Sequence, residues 1–361
     1  MRLFLTSDFH IGKYNLDSDR WLTNMRNYFY DFFIPLLNEY AKKDDKLIVL
    51  GDIFDNRNSI DLRAMNLVVE IFEDISKIIE CHILLGNHDQ RMMNDPKINS
   101  VASIRNINNV YTYSEPTEIK FDNKTALMMP WVHGKNNEQE ILSKYSGNDL
   151  LFCHSDLNGC RTQINPTRPT NRNILDIDDF NGFKRVYSGH IHIVQTINHF
   201  TFVGSPYHLD RNDVGNTKGV FVYDTKKDKD IFIPNDYSPE FKKVKIVKET
   251  DLNKLKKLLN TNHFIDVEIS NNLLVNNPQL RLEFDKLTNK YKIENLYFID
   301  DVVKEEKEKK KVNTNQKSIK ELSHEWIDNL NINDETELFT KIELIDEMKQ
   351  TVDKCFNLLN N

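Results

Sequence analysis

Cysteine is scarce and unpatterned: Cys81, Cys153, Cys160 and Cys355 form no CxxC pair and no framework spacing. That excludes a disulfide-stapled scaffold and fits a reducing compartment. Eleven glycines and ten prolines in 361 residues are too few for a fibrous or low-complexity chain. Long apolar runs are missing too. Lys46-Leu-Ile-Val-Leu-Gly51 is strand-length, well short of the roughly 20 residues a membrane helix needs. The opening Met1-Arg-Leu-Phe-Leu-Thr-Ser-Asp8 meets a charge too early for a secretory signal and reads as a first strand. Nor is there a surplus of positive charge: a net −7 argues against nucleic-acid binding by bulk charge alone. It leaves room for a local basic surface, or for a site whose positive charge is bound metal.

What is present is ample core material, 39% hydrophobic, in a length that predicts two to three domains. Short apolar runs recur at Leu3–Thr6, Leu47–Leu50, Cys81–Leu85, Ala126–Met129, Leu150–Cys153, Arg185–Ser188, Phe200–Val203 and Val220–Tyr223, and each predicts a strand. Arg20–Lys43 and Asp61–Glu80 read as helices, the second with an apolar stripe of Leu62, Met65, Val69, Phe72, Ile75 and Ile79. Strands alternating with helices predict an α/β layered fold. The texture changes at Ile233-Pro-Asn-Asp-Tyr-Ser-Pro239, beyond which strand, helix, strand, helix and strand patterns predict a small α+β module to residue 300. Lys304-Glu-Glu-Lys-Glu-Lys-Lys-Lys311 interleaves both signs and reads as a solvated linker. Two helical stripes close the chain: Ile319, Leu322, Trp326 and Leu330, then Leu338, Ile342, Ile345, Met348, Val352, Phe356 and Leu359. Such a pair either folds back on its own core or clasps a partner.

The chemistry sits just after the strands. Asp8-Phe-His10, Gly51-Asp52-Ile-Phe-Asp55, Gly86-Asn87-His88-Asp89, His154 and Gly189-His190-Ile-His192 each follow a predicted strand. Singly, a DxH is a surface loop, a lone histidine is a core residue, and HxH is one face of a strand. Five such accidents in order are improbable, and α/β sheets put their sites at such strand ends. Asp and His without thiolate suit Mn or Fe ahead of Zn, and a carboxylate bridging two ions about 3.5–4 Å apart would clamp a phosphate.

This ordered set resembles the calcineurin-like metallophosphoesterases, and in detail their SbcD or Mre-eleven DNA-repair branch, which includes phage recombination nuclease subunits. Met129-Pro-Trp131, Phe202-Val-Gly-Ser-Pro-Tyr207 and Lys218-Gly-Val-Phe-Val-Tyr-Asp224 resemble that branch as well. The resemblance covers roughly residues 1–235; beyond 240 it rests on layout.

The resemblance implies an αββα two-sheet sandwich over 1–238, a DNA-binding cap over 239–300, a linker over 301–315 and a helical pair over 316–361. It implies two divalent ions, Mn²⁺ with Mg²⁺ or Fe²⁺ as alternatives. Asp8, His10 and His192 would hold one and Asn87, His154 and His190 the other, with Asp52 bridging. His88 would serve the leaving oxygen, Asp89 would orient His88, and Asp55 would support the site. The implied activity is endonucleolytic and 3′–5′ exonucleolytic cleavage of DNA in repair, recombination and replication. The implied partner is an SbcC or Rad-fifty-type SMC ATPase, gripped by the C-terminal helices, and the implied compartment is the cytoplasm, that of a bacterial host for a phage protein. Family members also dimerise through N-terminal helices, here rich in Trp21, Met25, Tyr28, Phe29, Phe32 and Phe33.

Two basic clusters are candidates for DNA backbone: Lys242, Lys243, Lys245 and Lys248 on the small module, and Arg161, Arg168, Arg172, Lys184 and Arg185 beside the site. The alternatives are a phosphomonoesterase or cyclic-nucleotide phosphodiesterase, which the same metal site would serve, and a non-catalytic regulatory subunit. Gly-Asn-His-Asp in place of the phosphatases' Gly-Asn-His-Glu stands against the former, and intact ligand positions stand against the latter.

Overall fold

A computed structural model describes residues 1–13, 18–92, 95–162, 170–299, 323–324, 327 and 348–351. The chain divides into two units, Met1–Asp301 and Val302–Asn361.

In the first unit, β1 (Arg2–Thr6) leads to α1 (Ser18–Asn27), which passes through a π-helical turn (Tyr28–Phe33) into α2 (Ile34–Tyr40). β2 (Lys46–Val49), α3 (Leu62–Ile75) and β3 (Glu80–Leu84) follow, then the short β4 (Gln90–Met92) and β5 (Asp95–Asn99), and β6 (Val110–Tyr113). A hairpin of β7 (Thr117–Phe121) and β8 (Lys124–Met129) precedes α4 (Lys135–Lys144), β9 (Leu150–Cys153) and β10 (Arg185–Ser188). β11 (Gln195–Ile197), β12 (Phe200–Phe202), β13 (Gly219–Asp224) and β14 (Lys229–Pro234) complete the two main sheets. Their orders are β14-β13-β1-β2-β3-β6 and β11-β12-β10-β9-β8-β7.

Strand alternation builds the layers. Leu3, Leu5, Ile48 and Leu50 pack against Met128, Leu150, Phe152 and Tyr187 of the opposite sheet. Their neighbours Phe4, Leu47 and Val49 face the other way, onto α1 to α3. Leu151 and Cys153 likewise face outward, into a cluster with Leu142 of α4. Helices on the outside and two sheets within make the αββα sandwich that the sequence predicts.

Two local expectations change. In α3 the buried face is Ala64, Leu67, Val68, Ile71, Phe72 and Ile75, while Leu62 is 78% exposed. Both stripes have helical spacing, and the partner surface decides between them. In α1 and the π-turn, Trp21, Met25, Tyr28, Phe29 and Phe33 lie in the core of this same chain, so they do not offer a dimer surface.

The small module contains β15 (Phe241–Ile246), α5 (Leu252–Leu258), β16 (Phe264–Ser270), α6 (Asn271–Asn276), α7 (Pro278–Lys290) and β17 (Asn295–Ile299). Its strands run parallel in the order β15-β16-β17, over an apolar core of its own. Trp21 stands 5.8 and 5.2 Å from the rings of Phe241 and Phe264. Arg20 pairs with Glu294 at 2.6 Å and Arg211 with Asp266 at 2.6 Å. The module is thereby packed on the α1 side of the sandwich.

In the second unit, Ser323, His324, Ile327 and Met348–Thr351 are helical. The charged linker and most of both C-terminal stripes lie outside the described residues. Among the described residues no helix is long and apolar enough to cross a membrane.

Candidate metal centre

β1, β2 and β3 are parallel neighbours, as are β8, β9 and β10, so their C-terminal ends share one edge of the sandwich. The loops leaving β1 and β2 continue to pair after the strands end. Asp8 N–H donates to the Gly51 carbonyl at 3.0 Å, and His10 N–H to the Asp52 carbonyl at 3.0 Å. This turns the chain sharply. Asp8, His10, Asp52 and His190 all adopt positive φ, at 54°, 45°, 55° and 77°. Left-handed backbone at four non-glycine residues is strain of the kind that collects at functional sites. Gly86 and Gly189 allow the approach, because a Cβ would stand 2.1 Å from Asp52 Oδ1 at the first and 2.0 Å from Ser7 Oγ at the second.

The result is two groups joined by one carboxylate. His10 Nε2 and His192 Nε2 each lie 3.9 Å from Asp8 Oδ1. In the other group, His154 Nε2 and His190 Nδ1 each lie 3.0 Å from Asn87 Oδ1. Asp52 Oδ2 stands between, 3.6 Å from His10 Nε2 and 3.3 Å from His154 Nε2. All seven residues expected as ligands come together, and His88 joins them with its ring 4.8 Å from that of His10. Asp55 Oδ1 is 3.1 Å from His10 Nδ1.

Asp89 departs from its expected place. Its carboxylate accepts from the N–H groups of Ile53, Phe54 and Gly86 and from Ser100 Oγ. It thereby ties the Asp52 loop to the Asn87 loop rather than orienting the His88 ring. The ring is held instead by the Asp55 backbone carbonyl, 2.5 Å from Nδ1. Burial, and Asp52 behind it, push the Asp89 carboxyl up to about 6 against these donors.

The donor atoms fit a cation. Asp8 Oδ2 and His10 Nε2 are buried without a hydrogen-bond partner among the described residues. His154 Nδ1–H donates to the Leu50 carbonyl at 2.6 Å, which leaves Nε2 aimed at the oxygens of Asn87 and Asp52. Acceptor facing acceptor is relieved by a second proton or by a metal ion. Ligands about 2.1 Å from an octahedral ion are themselves about 3 Å apart, the spacing seen around Asn87. The electrostatics agree. Burial opposes charge on His154, but Asp52 and Asp8 outweigh it and raise the imidazole to about 9. Burial also opposes charge on Asp52, yet His154, His10 and His88 hold it well below the usual carboxylate range.

Of the basic residues, Arg161 and Arg172 are exposed on this side of the sandwich and Arg168 lies outside the described residues. Lys184 and Arg185 do not belong to the site. They stand at the start of β10, the end opposite His190, and pair with Asp149 and with Asp228 and Asp230. Lys242 and Lys243 are paired with Glu240 and Glu268, while Lys245 is exposed.

Two further groups act on the site. Tyr207 Oη donates to the Phe9 carbonyl at 2.6 Å, between Asp8 and His10. Buried Lys218 donates to the His192 carbonyl at 2.7 Å. Both residues lie in segments that resemble the family, which was their only signal in the sequence.

Residues 1–194 match the calcineurin-like phosphoesterase family. The chain belongs to the calcineurin-like phosphoesterases. Members of this family use divalent metals, and this phosphoesterase has the residues to hold a metal centre. It is 29% identical over 241 residues to exonuclease subunit 1 of Enterobacteria phage T4, covering 65% of this chain and 68% of that one. It is 25% identical over 173 residues to the putative phosphoesterase 244L of Invertebrate iridescent virus 6, covering 46% of this chain and 58% of that protein. A solved novel archaeal phosphodiesterase overlaps 65% of this chain and 100% of its own at 14% identity, with a TM-score of 0.36.

Proposed function

We propose that this phosphoesterase is the nuclease subunit of a DNA-processing complex and hydrolyses phosphodiesters, as endonuclease and 3′–5′ exonuclease, in repair, recombination and replication. The position of Asp52 Oδ2 between two ligand groups carries the reading; the likeness to a phage exonuclease subunit supports it.

In this reading Asp8, His10 and His192 would hold one divalent ion and Asn87, His154 and His190 a second, with Asp52 shared by the two groups. Mn²⁺ is the preferred metal, on the mixed imidazole and oxygen donor set. Such a pair, when bound, lowers the pKa of water and neutralises phosphate charge. The chain's own part is to place and to protonate. His154 is kept in one tautomer by the Leu50 carbonyl, which presents Nε2 to the metal. His88 Nδ1 donates to the Asp55 carbonyl, leaving Nε2 to hold the proton that the leaving oxygen needs. Burial lowers the His88 pKa, with the charge on His10 adding to it against Asp52, so the imidazolium is a stronger acid but a less populated one at neutral pH.

The module at 239–300 caps the site and helps to bind DNA, with Arg161, Arg168, Arg172 and Lys245 as backbone contacts. Residues 301–315 are a linker, and 316–361 form the helical pair that grips the coiled coil of an SbcC or Rad-fifty-type ATPase. A homodimer would use the exposed sides of α1 and α2, and the place of action is the cytoplasm.

The test incubates end-labelled DNA with the full chain and Mn²⁺, Mg²⁺ or EDTA, with and without the ATPase. His88→Ala and a phosphomonoester are run alongside. Mn²⁺-dependent DNA cleavage that drops about 10²–10⁴-fold in His88→Ala is expected. Hydrolysis of the monoester alone would assign a phosphatase, and metal binding without cleavage would assign a regulatory subunit.

A further inference from the structure

A cavity of about 620 Å³ adjoins the metal centre, lined among others by Trp131, Asn137, Glu138, Asp156, Arg172 and Asn173. Its volume is that of a small-molecule site and suits a single nucleoside rather than a paired duplex end. Two of its walls reach the ligands directly. The Trp131 ring lies 5.1 Å from that of His190, and Asp156 Oδ2 is 3.7 Å from His190 Nε2. Whatever fills the cavity is therefore a neighbour of the group that reacts.

The lining has three features that the metal chemistry does not use. Trp131 is anchored through its main chain: the backbone N–H donates to the Leu85 carbonyl at 2.8 Å and the backbone carbonyl accepts from Gln90 Nε2 at 3.2 Å. Both partners flank the loop that carries Asn87 and His88, so the Trp131 backbone is fixed relative to the site, and its ring lies against the His190 and His154 rings. Arg172 is exposed and makes no ion pair among the described residues, although Glu138 and Asp156 line the same cavity. Glu138 is 7% exposed, yet its Oε1 has no hydrogen-bond partner among the described residues. A buried carboxyl oxygen left without a partner is costly and calls for a role. Burial raises it to about 8, with Asp156 and Asp179 adding to this and the nearby Ser155 hydroxyl opposing it. Near neutral pH it is therefore largely a carboxylic acid, able both to donate and to accept.

We propose that this cavity is a subsite for one nucleobase, that of the nucleotide whose phosphate sits at the metal centre. Trp131 supplies a stacking surface, Glu138 a hydrogen-bonding group for the base edge, and Arg172 a charge for the adjoining phosphate. The inference rests on the nuclease reading above and adds to it that the enzyme takes a base out of its stack. Single-stranded or frayed ends are then the better substrates, because an unpaired base enters without the cost of unpairing.

The experiment uses the full chain with Mn²⁺ and two labelled single-stranded oligonucleotides, one normal and one abasic at the nucleotide being cleaved. Wild type, Trp131→Ala and Glu138→Gln are compared for KM and kcat, with metal content measured in each. In wild type the abasic substrate is expected to show a KM about ten-fold or more above the normal one, from the loss of one stacked base. Trp131→Ala should raise the KM of the normal substrate to the abasic value and erase the difference. Glu138→Gln should keep that difference but change the ranking of the four bases at the position. Equal KM for both substrates in a wild type that cuts DNA would overturn the subsite and leave the nuclease reading standing. A wild type that cuts neither would overturn both.

Discussion

The ammonium of Lys218 donates to the backbone carbonyl of His192 at 2.7 Å, and to Ser205 Oγ at 2.8 Å and Asp213 Oδ1 at 2.5 Å. Lys218 and Asp213 are both buried. A buried ion pair is thus built behind a candidate metal ligand, and it fixes the backbone from which that ligand projects.

Removing Lys218 alone leaves the Asp213 carboxylate buried without its cation. Lys218→Met is expected to lose about 3–5 kcal/mol of stability in urea unfolding. Lys218→Met with Asp213→Asn should recover most of that loss, since no lone charge remains. Metal affinity, titrated by calorimetry, should stay lowered in the double variant. Wild-type affinity there would show that the pair serves stability alone.

Gly86 tests how closely the loops must approach. A Cβ at this position meets Asp52 Oδ1 at 2.1 Å and Asp52 N at 2.4 Å. Gly86→Ala should displace the central carboxylate and weaken metal binding about 10–100-fold. Gly147→Ala is the control: its φ is +102° but nothing lies within 4 Å. It should cost about 1–3 kcal/mol from the strained backbone and leave metal affinity unchanged.

The Asp89 carboxylate accepts from four donors, the N–H groups of Ile53, Phe54 and Gly86 and the Ser100 hydroxyl. In Asp89→Asn an amide group replaces one acceptor oxygen, so buried N–H donors lose their partner at about 1–3 kcal/mol each. Lower thermal stability is expected together with faster amide exchange at Ile53, Phe54 and Gly86. Unchanged exchange at those three amides would contradict the tethering role.

Glu138 gives a pH dependence. Its folded pKa of about 8 lies above the ordinary 4.5, so between these values the folded chain keeps a proton that the unfolded chain releases. Stability from this group therefore falls as pH rises through that window, by at most about 1.4 kcal/mol per pH unit. Glu138→Gln should melt near wild type at pH 5 and above it at pH 8.5. Equal melting temperatures at both pH values would place the carboxyl in water.

Much of the site could be read along the chain because its residues follow strands, and a strand end is local information. The alternation of Leu3, Phe4 and Leu5, or of Leu47, Ile48 and Val49, likewise predicts layers from neighbours alone. Other features depended on what stands opposite. Helical spacing in α3 admits two apolar faces, and only the surface it packs on selects Ala64, Leu67 and Ile71 over Leu62. The aromatics of the first helix suit a core and an interface equally, and burial beneath the strands assigns them to the core. Lys184 and Arg185 are near His190 in number but at the far end of β10 in space, since a strand carries its two ends apart.

The sequence by itself determined which residue types arrive at the site, in what order, and on which class of fold. The tertiary structure alone decided that Asp52 stands between two groups, that Asp89 ties loops instead of turning His88, and that Trp131, Glu138 and Arg172 line one cavity. Those relations join residues far apart in the chain, such as His190 N–H to Asp8 Oδ1 at 3.2 Å. Local propensity carries no information about such contacts; the pairing of strands and the packing of layers create them.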